Sequence, residues 1–149
     1  MVSGARESYI FWALLSALFA GLTAVLGKRG VEGIPSNLAV AIRVAVVFVF
    51  AVGIAVATHQ TQFAQVSKKG WLFLGLSGIA TGASWLCYFR ALQLGPVSQV
   101  APIDKLSFVL AMVLGVLFLR ERPPMHVVAG AVLIVAGVLL TLKSVIMPK

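Results

Sequence analysis

One cysteine, four acidic residues and two histidines are all that this 149-residue chain has of the groups that most often build catalytic and metal sites. Cys87 alone excludes an internal disulfide and any multi-cysteine metal centre, and its place in an apolar run predicts a buried, inert thiol. His59 and His126 fall at the ends of apolar runs, with no helical i, i+4 histidine pair to hold zinc. No serine, histidine or acid stands at the spacing of a nucleophile and its base, so a membrane enzyme is the weakest functional class, and neither cofactor nor metal is expected. Charge as a whole is scarce: at 11% charged residues the chain cannot clothe a soluble domain in a polar surface.

What is abundant is hydrocarbon. Sixty per cent of the residues are hydrophobic and the mean hydropathy is +1.04, which makes this a membrane protein whose first partner is the lipid bilayer. Its length has room for four or five spans of about 20 residues and for no separate soluble domain. The net charge of +8 and pI near 10.4 raise the question of nucleic acid. The basic residues, however, come in ones and twos between apolar runs, without the dense cluster that a phosphate-binding face needs, so no nucleic-acid partner is expected. They suit loop anchoring beside anionic lipid.

Five spans are predicted, over residues 9–27, 37–57, 70–90, 97–119 and 125–142, in a single membrane domain. The first is longer than the ~7 to 15 residues of a signal core and lacks a clear cleavage site, so it is read as a transmembrane helix. Ala13, Ala17 and Gly21 form a small-residue stripe on it, as Gly75, Gly78 and Gly82 do on the third span and Gly130 and Gly137 on the fifth, all suited to close helix approach. Charge, glycine and proline in residues 28–35 break the pattern before the second span, for which Ser36 is a candidate N-cap. Arg120-Glu121-Arg122-Pro123-Pro124 ends the fourth span abruptly.

The stretch Ala101-Pro102-Ile103-Asp104-Lys105-Leu106-Ser107 places an acid and a base side by side within an apolar span, where each charge costs roughly 2.5 to 3.5 kcal/mol on insertion scales. Arg43 lies in the second span at a similar depth, both being roughly 10 to 12 Å from the same membrane face at ~1.5 Å per residue. Asp104 is therefore expected to pair with Arg43. Lys105, turned about 100° away on the helix, is expected to face a cavity or another protomer and to bind an anionic group there; the competing role is snorkelling to the interface. On the third span Ser77, Thr81, Ser84 and Tyr88 share one helical face with Trp85 at its edge. Two readings stand: hydrogen-bonding glue between helices, or a substrate path with Thr81, Ser84, Trp85 and Tyr88 as contacts.

Several segments also carry a resemblance. The opening Trp-x-Leu-Leu-Ser-Ala-Leu-Phe-Ala-Gly-Leu, the Gly27-Lys28-Arg29-Gly30 junction, Asn37-Leu38-Ala39-x-Ala41-Ile42-Arg43, Trp85-Leu86-Cys87-Tyr88-Phe89-Arg90-Ala91-Leu92 and Pro102-Ile103-Asp104-Lys105-Leu106-Ser107 resemble EamA-type proteins. They are most similar to the small single-repeat bacterial and archaeal members of the drug/metabolite transporter superfamily. Leu119-Arg120-Glu121-Arg122 resembles the Gly-Glu-Arg ending common in that group, with Arg120 where glycine is usual. The resemblance implies an all-α, five-helix membrane bundle amounting to one EamA-like repeat, multi-pass in the inner cell membrane, that carries a small metabolite or drug-like substrate. Larger relatives join two such repeats in inverted orientation, so a lone repeat is expected to work as an oligomer, with a homodimer foremost. A non-transporting subunit that assembles with or regulates another transporter is the alternative.

Orientation follows from the basic residues. Arg6, Lys68, Lys69, Arg120 and Arg122 fall on one face, and Lys28, Arg29, Arg90, Lys143 and Lys149 on the other, with shallow Arg43 as an optional addition. A chain with no bias has no charge signal against inserting both ways, and two opposed copies would rebuild an inverted repeat; an antiparallel homodimer is expected, with parallel and heteromeric pairs as alternatives. C-terminal fusions to a cytoplasmic and to a periplasmic reporter should both be active, and two lysines added after Met147 should draw that end inward. A single orientation indifferent to those lysines would remove the reason for the antiparallel arrangement.

Overall fold

Hydrocarbon leaves a backbone no water to bond, so a lipid-soluble segment must satisfy its N–H and C=O groups internally, and the helix is the local way to do so. The computed structural model describes residues 2–146, with side chains over 9–143. It is helical, with five segments long and apolar enough to cross a membrane: Tyr9–Gly30, Ser36–Ala57, Lys68–Leu94, Val97–Leu119 and Met125–Lys143. Contacts divide the chain into two compact units, Met1–Leu94 and Gly95–Lys149.

The first unit contains α1 (Val2–Gly30), α2 (Ser36–Ala57), a 3-10 turn at Phe63–Gln65 and α3 (Lys68–Leu94). α3 packs against both α1 and α2. Its buried apolar residues, Ala24, Val31, Ala39, Val40, Phe89 and Leu92, all lie toward the end where α1 finishes, α2 starts and α3 finishes. Gly27 faces Leu92 and Phe89, which a Cβ there would meet at an ordinary van der Waals distance of 3.5 Å. Polar ties complete that end. Lys28 Nζ donates to the Leu92 carbonyl at 2.6 Å, one of the last carbonyls of α3 that lack a helical partner. Gln93 Nε2 donates to the Ile34 carbonyl at 2.6 Å, and Arg90 donates to Gln93 Oε1 at 3.1 Å.

Ser36 is not an N-cap. Pro35 holds that position, Ser36 is the first helical residue, and no side chain caps the helix. Proline's fixed φ, here −59°, already suits helix entry, and its carbonyl accepts the Ala39 N–H at 3.1 Å. The serine that does cap is Ser67, whose Oγ accepts the Gly70 N–H at 3.0 Å ahead of α3. Cys87 is exposed rather than buried. An apolar surrounding sequence in a membrane helix is equally the mark of an outward face, because lipid-facing and core-facing residues are both apolar.

The second unit contains α4 (Val97–Asp104), α5 (Leu106–Leu119) and α6 (Met125–Ile146), with α6 packed on both α4 and α5. α4 and α5 divide one span at Lys105. Pro102 has no N–H to donate within the helix, and the ladder tightens beyond it: Lys105 N–H bonds the Pro102 carbonyl and Phe108 N–H the Lys105 carbonyl, both at 3.1 Å. Among the described residues, the glycines of the small-residue stripes have no close neighbour. A Cβ added at Gly21, Gly75, Gly78, Gly82, Gly130 or Gly137 meets nothing within 4 Å.

α5 ends through Arg120 in the left-handed region, φ 55°. Its N–H and that of Glu121 both turn back to the Gly115 carbonyl, the latter at 3.2 Å. That conformation favours glycine, since a Cβ is disfavoured there by about 1 kcal/mol. The Glu121 carboxylate folds over Gly115, where a Cβ would stand 2.9 Å from its Oε2. Arg120→Gly should accordingly raise the thermal midpoint in detergent by a few degrees, about 1 kcal/mol or less. Gly115→Val should lower it, and equal midpoints for all three proteins would show that this ending stores no strain.

Candidate functional site

The first unit forms a partly open pocket of about 410 Å³. α1 contributes Thr23, Leu26, Gly27 and Gly30, the connection contributes Ile34, α2 contributes Ala39, Ile42 and Arg43, and α3 contributes Phe89. It forms where α3 holds both neighbours and α1 supplies glycine on the facing side. Apart from the Thr23 hydroxyl and the Arg43 guanidinium, the side chains that line it are apolar. An apolar space with few polar groups, in the range of 300–1,000 Å³, is what small-molecule sites generally present.

Arg43 is its one charge. Seven residues into α2, it sits about 10 Å along the helix axis from Ser36. Its guanidinium carbon lies 4.5 Å from the centre of the Trp85 ring and 5.4 Å from that of Phe89. Both distances are within reach of a cation–π attraction, worth about 0.5 to 2 kcal/mol depending on desolvation. Among the described residues of the first unit no carboxylate is in ion-pairing range of it: Glu32 instead faces Arg29 at 3.9 Å. The adjacent Tyr88 ring is half-buried and meets Phe89 edge to face at 6.4 Å.

In the second unit Asp104 and Lys105 sit at the break between α4 and α5. The Lys105 ammonium is 3.8 Å from the Asp104 carboxylate, and its side chain is 59% exposed, so this is a loose contact between neighbours in sequence. Residues 7–143 match the model of the EamA-like transporter family. The chain belongs to the EamA-like transporter family. It is 51% identical over 135 residues to an uncharacterized transporter in the cobO 3' region of a Sinorhizobium species, a match covering 90% of this chain and 96% of that protein. It is 30% identical over 136 residues to the uncharacterized transporter YxxF of Bacillus subtilis, covering 91% of this chain and 42% of that longer protein. No solved structure matches.

Among the residues expected at a site in this EamA-like protein, the structure brings Arg43 and Trp85 together, with Tyr88 beside them in sequence. Thr81 and Ser84 are exposed on α3 and do not line the cavity. The Thr81 hydroxyl donates to the Ser77 carbonyl at 2.9 Å, so it is bonded to its own helix. Asp104 and Lys105 belong to the other unit. Phe89, Thr23 and the Gly27–Gly30 side of α1 were not expected in the site. The Gly-Lys-Arg-Gly junction was the available signal, since glycines flanking a charge at a helix end mark a place where side chains make room.

Exposure of Thr81 and Ser84 is to lipid, to a second protein or to water, and chemistry distinguishes these. With Cys87 replaced by alanine, cysteines at Ser84 and Thr81 should react with a membrane-impermeant thiol reagent if that face lines a path, and transported solute should slow the reaction. Reaction only with lipid-soluble reagents would assign the face to lipid or to a packed interface.

Proposed function

We propose that the protein moves a small organic solute across the cell membrane as an oligomer of its five-span repeat, foremost an antiparallel homodimer. The observation that carries this reading is the half-buried guanidinium inside an apolar, ligand-sized cavity within a spanning segment. A charge held there at a cost of several kcal/mol in lipid has functional work as its default explanation. Membership of a transporter family supports it, as do the two relatives named as transporters. Two further features support the finer parts. The fourth span tightens into a 3-10 turn at Asp104 and Lys105 while remaining helical, and departures from regular helix near charged groups are a feature of many secondary-transporter sites. The glycines of the stripes on α1, α3 and α6 meet no neighbour among the described residues, leaving smooth surfaces on which another helix can settle.

In this reading Lys105 supplies positive charge to the path, Asp104 balances it, and Trp85 and Tyr88 provide aromatic contact. The experiment is reconstitution of the purified chain in liposomes loaded with a metabolite mixture, with efflux followed by mass spectrometry. Protein-dependent efflux of at least one solute is expected, reduced about tenfold or more by Lys105→Met, since a hydrogen bond to a charged group contributes about 1.5 to 3 kcal/mol. Undiminished efflux by that variant would remove Lys105 from the path. Absence of efflux from a folded, oligomeric protein would favour a subunit that serves another transporter.

A further inference from the structure

We propose that the cavity of the first unit is a binding site for the carboxylate of an organic acid with an apolar body, with Arg43 as the anchoring group. The inference rests on the transport reading for its biological sense but concerns binding alone.

The argument starts from what Arg43 has and lacks. Guanidinium carries five N–H donors in a planar fork and keeps its charge under all ordinary conditions. Here its described contacts are two aromatic rings, at 4.5 and 5.4 Å, with Tyr88 as a further electrostatic neighbour, and no hydrogen bond from it to another described residue is present. Rings attract the charge without offering lone pairs to the fork. They also fix the group in place, so that little side-chain entropy is lost when an anion docks. A carboxylate supplies what is lacking: two oxygens matched to the fork and a compensating charge.

The rest of the cavity selects the remainder of the solute. Leu26, Ile34, Ala39, Ile42 and Phe89 offer no polar side-chain atom, so a second charge on the ligand would find no partner. A zwitterion or a dicarboxylate is disfavoured on that ground. Thr23 alone can give or take one hydrogen bond opposite the fork. About 410 Å³ accommodates a compact ring or branched chain bearing one carboxylate.

The test uses the full chain in phosphatidylcholine nanodiscs and two probes of nearly equal shape, cyclohexanecarboxylate and cyclohexanecarboxamide. Trp12→Phe and Trp71→Phe leave Trp85 as the sole indole, so its fluorescence reports occupancy beside Arg43. The carboxylate should change that signal saturably, with the carboxamide at least about tenfold weaker. Arg43→Gln should lower carboxylate affinity to the level of the amide, and Arg43→Lys should recover part of the loss, since it keeps the charge without the fork. Thr23→Phe, which retains Arg43 and fills space, should weaken both probes and remains informative if Arg43→Gln does not fold.

Equal affinity for the two probes, or carboxylate binding unaltered in Arg43→Gln, would overturn the assignment. So would recovery of carboxylate binding in the double variant Arg43→Gln, Asp104→Asn, because the anchoring group would then lie elsewhere. Efflux from liposomes separates this proposal from the broader one. Arg43-dependent binding without efflux would sustain the site and fail the transport reading, whereas efflux of other solutes without carboxylate binding would do the reverse.

Discussion

The absence of hydrogen-bonding solvent inside a bilayer governs the polar contacts within the spans of this protein. A group that water would satisfy must find its partner in the chain, and the solutions are visible one by one. Thr81 and Thr141 donate to carbonyls one turn back, at 2.9 and 3.1 Å. Lys28 is tied to the end of α3 and Gln93 to the connection before α2. Arg43 is accommodated differently, by ring faces that lower the cost of its charge, with its donors unbonded among the described residues. That difference separates the groups that hold the fold from the group best placed to meet a solute.

Cohesion is correspondingly uneven. In the first unit the buried residues gather around the end where Gly27 faces Phe89 and Leu92, while large apolar residues such as Phe48, Phe50, Phe73 and Ile79 are about two-thirds exposed or more. Hydrocarbon is as good an environment for those side chains as a protein interior, so their exposure carries no hydrophobic penalty in lipid. Glycines therefore divide into two kinds. Gly27 adjoins Phe89 and Leu92 and Gly115 the Glu121 carboxylate, whereas those of the long stripes meet nothing within 4 Å among the described residues. The first kind shapes the unit, and the second gives flat surfaces to whatever lies beside it.

Much of this was legible in composition and periodicity, and the reason is physical. A span must be long, apolar and helical, so residues such as Gly95, Pro96, Pro123 and Pro124 mark its limits directly; this determined the class, the all-α architecture and the five spans. The same uniformity hides the inside from the outside. Cys87 and Phe89 both stand in one apolar run, yet the first is exposed and the second is 3% exposed. Intramembrane charge picked out Arg43, Asp104 and Lys105 because each is costly in lipid wherever the helix turns. Which neighbours would receive Arg43 required the crossing of α2 with α3, since a contact between residues 43 and 85 depends on how two helices are rotated against each other. Likewise Pro102 announced a weak point in the fourth span, but the break at Lys105, three residues on, depended on how the freed backbone groups paired. The sequence by itself determined that these helices lie in a membrane and which of their residues are costly there; only the tertiary structure decided which faces meet, and so where a cavity could open.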